Sequence, residues 1–384
     1  MAVLSSGHCA TDFAGGALPA LLPFWVDRFD LSYTLAAAVM LVSAVSSSVV
    51  QPLFGLWSDA RGAIWLLPAG VAVAGAGTAL ASVSPSYALV LLCVVVGGLG
   101  TAAYHPEGSK FAAFAGGRRR ASAMSLFSVG GNVGYALGPT IATPLVLAFG
   151  LSGGLLIAAP SLLVAVALLQ LAPRLRSLAP EHGQRVRSDE PDRIGALLLL
   201  LGVIAFRSVA WFGLVTFVPL YEISLGHSKA YGNHLLSLML LAGGLGTLAA
   251  GPLADRFGRR PVLIVSTALT GPLILAYLAF GGVVGALSLA LVGIAVIGTF
   301  GVTMVMSQEY LPRRIGMASG LSIGLSIGLG GVGAIALGAL ADSIDLEAAM
   351  HVAAAAAGAA LLLAVLLPSS RRGRRLEPEP AVVP

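Results

Sequence analysis

Charge is what this chain has least of. Only 10% of its 384 residues are Asp, Glu, Lys or Arg, 57% are hydrophobic, and the mean hydropathy is +0.92. A soluble globular domain carries about 25% charged residues, and a soluble fold of this composition would need an implausibly large core. Cysteine is nearly absent too. Cys9 and Cys93 both lie in apolar stretches, which argues against a disulfide framework or a zinc site. The chain has no Walker loop, HExxH helix or nucleophile elbow, so it is not read as an enzyme, and no metal or organic cofactor is expected. Gly328-Leu329-Gly330-Gly331-Val332-Gly333 fits G-x-G-x-x-G formally. It sits inside an apolar run with no soluble strand before it, and so reads as helix packing rather than a dinucleotide site. The N-terminus lacks a basic segment followed by a cleavage site, and its first apolar stretch reads as a retained helix.

Glycine (49) and proline (21) are abundant, at levels ordinary for packed membrane helices. Apolar runs of roughly 20 residues, the length that crosses a bilayer, recur over 7–27, 33–56, 64–83, 87–111, 120–149, 152–172, 194–222, 231–252, 262–281, 284–307, 315–341 and 346–367. The fold expected is an all-α membrane protein of twelve transmembrane helices. Residues 1–172 form a first six-helix bundle, 173–193 a polar linker, 194–368 a second six-helix bundle and 369–384 a basic tail. The two bundles are pseudo-symmetric. Gly55-Leu56-Trp57-Ser58-Asp59-Ala60-Arg61-Gly62 returns 196 residues later as Gly251-Pro252-Leu253-Ala254-Asp255-Arg256-Phe257-Gly258, and Pro23 and Pro219 keep the same offset. A period this long means a duplicated half with a site between the copies.

The basic residues are distributed unevenly. Nineteen of the 22 Lys and Arg fall in the even loops, the linker and the tail; Arg28 and Lys229 lie on the other side, and Arg207 lies within a helix. By the positive-inside rule both termini and the linker are cytoplasmic, in a multi-pass protein of the plasma (inner) membrane. The Arg371, Arg372, Arg374 and Arg375 cluster follows a membrane helix and reads as a lipid-headgroup contact, not a nucleic-acid arm.

Two halves with G-x3-D-x2-G in the second and eighth interhelical loops closely resemble the major facilitator superfamily. The second copy, with Arg256, Arg259 and Arg260, matches that family's signature in full. The first copy has Ala63 and Ile64 where basic residues are usual. Within the superfamily the chain resembles the fosmidomycin-resistance type of exporter. The resemblance is carried by Tyr104-His105-Pro106-Glu107, Phe127-Ser128-Val129-Gly130-Gly131-Asn132, Gln308-Glu309-Tyr310-Leu311-Pro312, Met317-Ala318-Ser319-Gly320 and Gly338-Ala339-Leu340-Ala341-Asp342. It implies the major facilitator fold, a monomer, and a transporter working by alternating access with small molecules, protons and membrane lipids as partners. The proton gradient would be its energy source. Export of a small anionic or amphiphilic compound by proton antiport is the leading expectation. Uptake or facilitated diffusion of an organic anion is the alternative, and a lipid-handling flippase is a third class. Gly134-x3-Gly138-Pro139 partly matches the family's antiporter motif, with Ala142 and Thr143 where glycines are expected.

The resemblance also implies a gate. Asp59 would meet the helix starting near Gly316, and Asp255 the helix starting near Ala121, while the cytoplasmic side is closed, with Arg61, Arg256, Arg259 and Arg260 as further gating residues; a tight turn with a solvated Asp is the alternative. Intramembrane ionisable residues are costly and mark function. Glu107 or Asp12 is the expected proton carrier, with His105 tuning or relaying. Glu107 could instead be a fixed partner of Lys110, and Asp12 a helix-start residue facing water. Arg207 is the candidate for the substrate's charge, its fork suited to phosphonate, phosphate or carboxylate; an internal pair with Asp12 is the alternative. Asn132, Tyr104, Phe127 and Trp211 are candidate cavity residues, with helix packing as the competing account. Glu309 and Asp342 are read as cytoplasmic helix-end residues that pair with Arg313 or Arg314, or cap a helix.

Overall fold

The computed structural model describes residues 1–61, 63–116, 120–177 and 191–368, and its described residues hold helices and no strand. In chain order the α-helices are α1 (Ala2–Phe29), α2 (Tyr33–Ala44), α3 (Gln51–Arg61), α4 (Leu66–Val83), α5 (Tyr87–Gly116), α6 (Arg120–Phe149), α7 (Ala158–Arg176), α8 (Ile194–Ser224), α9 (Lys229–Phe257), α10 (Arg259–Phe280), α11 (Gly282–Gly298), α12 (Phe300–Tyr310), α13 (Ile315–Ser343) and α14 (Leu346–Leu366). Eleven continuous stretches are long and apolar enough to cross a membrane. One of them, Ala123–Arg176, is 54 residues long. That is more than twice one crossing, and it turns back through a 3-10 segment, Gly150–Ile157, beginning at Gly150 with φ 65°. Twelve crossings result, in two six-helix bundles, and both ends of the described chain lie on one face. That face is called the terminal face below.

Two crossings are broken rather than continuous, which hydropathy alone did not foretell. The second runs α2, a π-turn at Val45–Val49, then α3. Ser46 there donates to the Val42 carbonyl at 2.7 Å and Ser47 to the Ala44 carbonyl at 3.4 Å, competing with the backbone ladder. The tenth breaks at Thr299, between α11 and α12. At the linker, α7 continues to Arg176, so residues 173–176 are helical rather than polar coil.

Burial follows the membrane pattern. Large apolar side chains such as Leu163, Leu245, Val283 and Leu362 face outward, while small residues hold the inside together. One such close approach is α1 on α6. A Cβ on Gly134 would overlap the Cys9 carbonyl oxygen, and one on Gly130 would overlap that of Ser5. The glycines of the Gly328–Gly333 run pack likewise, Gly330 on Phe212, Gly331 on Leu41 and Gly333 on Val209, which fits helix packing. Gly134→Ala is expected to destabilise the fold by about 1–3 kcal/mol, lowering the melting midpoint in detergent. Gly358→Ala, with nothing within 4 Å of its Cβ position, should leave that midpoint unmoved.

Candidate functional site

Three features converge between and within the bundles. The first is a cluster in the first bundle. Asp12, on α1, receives His105 Nε2 at 2.9 Å on Oδ1, and His8 Nε2 lies 3.2 Å from its Oδ2. The remaining ring nitrogens are also committed. His8 Nδ1 lies 2.8 Å from the Phe127 carbonyl oxygen, and a carbonyl only accepts, so Nδ1 carries a proton. His105 Nδ1 lies 3.2 Å from Gln51 Nε2, which in turn donates to the Ser47 carbonyl at 2.8 Å. An amide nitrogen only donates, so His105 Nδ1 is bare and its Nε2–H points at Asp12. One contact then remains to be satisfied, His8 Nε2 against Asp12 Oδ2. It closes only if one further proton sits there, on the imidazole or on the carboxyl. Gly131 makes the room: a Cβ there would lie 2.5 Å from His8 Nε2 and 2.6 Å from Asp12 Oδ2.

Phe127 stacks on His8 with ring centroids 4.1 Å apart. The Tyr104 hydroxyl donates to the Leu4 carbonyl at 2.5 Å, and its ring is buried. Both aromatics expected along the cavity thus belong to the packing of this cluster. His8 itself was missed in the sequence, though its i, i+4 spacing to Asp12 was a readable signal. The ligand-type atoms of His8, Asp12 and His105 lie within 4.8 Å of one another, a spacing a metal ion could use. The hydrogen bonds fit a proton better, because His105 Nε2 presents hydrogen, not a lone pair, to the centre. Glu107 is buried and pairs with Lys110 at 2.7 Å.

The second feature is Arg207 on α8, 4% exposed. It does not pair with Asp12. Nη1 donates to Thr299 Oγ1 at 3.0 Å and Nη2 to Thr303 Oγ1 at 3.4 Å, across the break between α11 and α12. Thr299 Oγ1 is also 3.2 Å from Ser266 Oγ. No carboxylate among the described residues faces this guanidinium. Trp211 is half-buried against the core, and Asn132 is half-buried at the crossing of α6 and α9, its Cβ 3.9 Å from a Cβ built on Gly244.

The third feature is a seal between the bundles at the face opposite the termini. Asp342 was expected at the same end as Glu309, but it lies at the far end of α13, because that helix runs away from the terminal face. Its carboxylate accepts from the backbone N–H of Tyr33 at 2.7 Å and Thr34 at 3.0 Å, and from Thr34 Oγ1 at 2.6 Å, so it caps α2 of the other bundle. Gly338 lets the helices meet, since a Cβ there would be 2.8 Å from the Tyr33 oxygen. Lys229 pairs with Asp27, and Asn233 donates to the Ala20 carbonyl at 3.1 Å and Thr143 Oγ1 at 2.9 Å.

At the terminal face, Asp255 is exposed and bonds to no described residue, and nothing lies within 4 Å of a Cβ on Gly251. The Asp59 and Arg61 side chains, and the stretch around Ala121, lie outside the described residues. Arg256 is exposed over the Phe257 ring. Glu309 pairs with Arg259, 50 positions away, because α9 turns into α10 beside the end of α12; the Arg314 side chain lies outside the described residues. Arg260 donates to the Val365 carbonyl at 2.7 Å. Loss of a charged acceptor costs about 1.5–3 kcal/mol, and about 1.4 kcal/mol is tenfold in a population. Asp342→Asn is therefore expected to speed maleimide labelling of Ala20→Cys, buried under the seal, by about tenfold or more in a background free of the two native cysteines.

Comparison with known proteins places these features. A family model described as Major Facilitator Superfamily matches residues 4–321 and 200–383. The chain is 33% identical to the uncharacterized MFS-type transporter YfnC of Bacillus subtilis, covering 96% of this chain and 92% of that protein. It is 30% identical to the fosmidomycin resistance protein of Escherichia coli, covering 90% and 87%. Among solved structures, the nucleoside transporter NupG aligns with TM-score 0.73 at 15% identity, covering 95% of this chain and 97% of that one. An inward-facing, unoccupied bacterial homologue of the human lysosomal transporter Spinster aligns with TM-score 0.72 at 15% identity, covering 95% and 93%.

Proposed function

The chain belongs to the major facilitator superfamily, and from that premise we propose that this transporter exports a small anionic or amphiphilic compound in exchange for protons. Its proton site is the His8–Asp12–His105 cluster. The observation that carries the reading is the His8 Nε2 to Asp12 Oδ2 contact, which has no stable form without an added proton. Loss of that proton leaves an uncompensated charge inside the first bundle, a cost that favours a different packing of α1, α5 and α6. His105 passes the change on. It bonds Gln51, the first residue of α3, and is followed by Pro106, whose Cβ lies 3.7 Å from a Cβ on Gly55 of the first repeated loop.

Orientation follows from the basic residues. Lys110, Arg174, Arg176, Arg193, Arg256, Arg259, Arg260 and Arg313 all lie at helix ends on the terminal face, which supports a cytoplasmic terminal face. The sealed face is then extracellular, and an exposed Asp255 that bonds to no described residue, with no described atom within 4 Å of a Cβ on Gly251, fits an inward-facing state with its cytoplasmic latch released. In that state the substrate's anionic group would reach Arg207, replacing the neutral hydroxyls of Thr299 and Thr303 with a bidentate partner. The similarity to a fosmidomycin resistance protein supports efflux. Uptake of an organic anion on the same machinery is the second reading, and the direction of flux in everted vesicles separates the two.

In proteoliposomes loaded with a phosphonate, an imposed proton gradient should drive uphill movement. Asp12→Asn should abolish that drive while downhill exchange persists, and Glu107→Gln, with Glu107 tied to Lys110, should retain it. Full coupling in Asp12→Asn would sink the assignment. Arg207→Gln should weaken an anionic substrate by about tenfold or more, the loss of a charge-assisted pair, and leave a neutral amphiphile nearly unaffected.

A further inference from the structure

The proton cluster of the first bundle leaves one deeply buried carboxylate unexplained. Glu222, near the end of α8, is 4% exposed and faces neither Lys nor Arg among its described hydrogen-bond partners. The Tyr277 hydroxyl of α10 donates to its Oε1 at 2.5 Å, and His227 Nδ1 lies 2.6 Å from its Oε2. The His227 side chain is 50% exposed, on the turn between α8 and α9, so it touches both the solution and the buried carboxylate. With Nδ1–H given to Glu222, its second nitrogen is free to exchange a proton with water. The other titratable or charged groups around this site are Tyr221 on the same helix, Tyr231 and Lys229 on α9, and Asp345 and Glu347 at the start of α14.

The site is joined to the seal by direct packing. A Cβ on Gly232 would lie 2.9 Å from Pro219 Cα and 3.2 Å from Glu222 Cβ, so the first turn of α9 rests on the last turns of α8. The next residue, Asn233, makes the bonds to Ala20 and Thr143 of the first bundle, and Lys229, two residues past His227, pairs with Asp27. The His227 backbone N–H also bonds the Glu222 carbonyl at 3.0 Å.

We propose that Glu222 and His227 form a second proton-binding site, open to the extracellular solution, whose protonation tightens the extracellular seal and whose deprotonation loosens it. It goes beyond the transport reading and takes from it only the orientation. A proton taken by the free nitrogen of His227 leaves Nδ1–H donating to Glu222 and turns a buried anion held by neutral donors into a charge-assisted ion pair. The α8–α9 turn then holds Lys229 and Asn233 more firmly against the first bundle. Acid outside would thus keep this face closed, and a rise in pH would release it.

The test measures distance, not flux, so that failure of the transport scheme leaves it readable. Spin labels at Arg28→Cys and Ile344→Cys, both on the sealed face, would be placed in the full chain with Cys9 and Cys93 replaced by serine. The chain would also carry Asp12→Asn, so that the first cluster has no carboxylate for its imidazoles to share a proton with. In nanodiscs, lowering the pH from about 8 to about 5.5, across the range where imidazole changes charge, should lower the longer-distance population several-fold. Adding Glu222→Gln, which keeps the Tyr277 bond, should flatten that response. His227→Asn, at a half-exposed position where folding is little at risk, should flatten it too. An unchanged pH response in either variant, or no response without them, overturns the proposal.

Discussion

A charged group taken out of water must find a partner or give up its charge, and that constraint organises everything inside this molecule. Asp12 is met by two imidazoles, Glu107 by Lys110, and Glu222 by a tyrosine and a histidine. These solutions are not equivalent. A Glu–Lys pair is complete as it stands. A carboxylate among imidazoles is complete only at a particular proton count, because imidazole can hold one hydrogen or two. Arg207 is the remaining case, a buried cation with two of its N–H groups given to the Thr299 and Thr303 hydroxyls and no carboxylate among its described partners. On the proposed function these are fixed charge, exchangeable charge and charge awaiting a partner.

The same reasoning gives the G-x3-D spacing a physical meaning. Residues four apart stand one above the other on a helix face. At Gly338 and Asp342 the glycine lets the start of α2 come close, and the carboxylate one turn later accepts that helix's free N–H groups. Gly251 and Asp255 have the same spacing at the other face, yet the glycine faces open space and the carboxylate is exposed. The same spacing occurs at both ends of the molecule, engaged at one, while at the other Asp255 bonds to no described residue. Alternating access asks for this arrangement, since the two ends must never both be open.

The crossings were legible in the sequence because bilayer thickness dictates run length, and the two bundles because a duplicated loop marks them. What stayed hidden depends on position along the membrane normal and on rotation about each helix. Asp342 looked like a partner of Glu309 because both end an apolar run, and only the direction of α13 sends them to opposite faces. Arg259, 50 positions from Glu309, pairs with it through a fold contact that sequence proximity does not reveal. Tyr104 and Phe127 stayed open between cavity and packing because composition does not say which face of α5 or α6 turns inward; both pack beside the His8–His105 cluster. The breaks at Val45–Val49 and Thr299 were invisible to hydropathy, since serine and threonine satisfy a broken helix without changing its apolar average.

Those breaks matter more than the regular helix around them. The π-turn lies directly before Gln51, which bonds His105, and Thr299 at the other break bonds Arg207. Each candidate ligand site therefore rests on an interruption in one crossing, one in each bundle. A continuous helix transmits a local change as a rigid tilt, whereas a broken one can move its two parts separately. Proton exchange at Asp12 would then be felt first by α3, which carries the first repeated loop, and substrate at Arg207 by α12, which ends at Glu309 beside Arg259 and the second loop. On the proposed function, the two chemistries would reach the gate from opposite bundles. That gives a physical basis for exchanging one ligand for the other without requiring the two to touch.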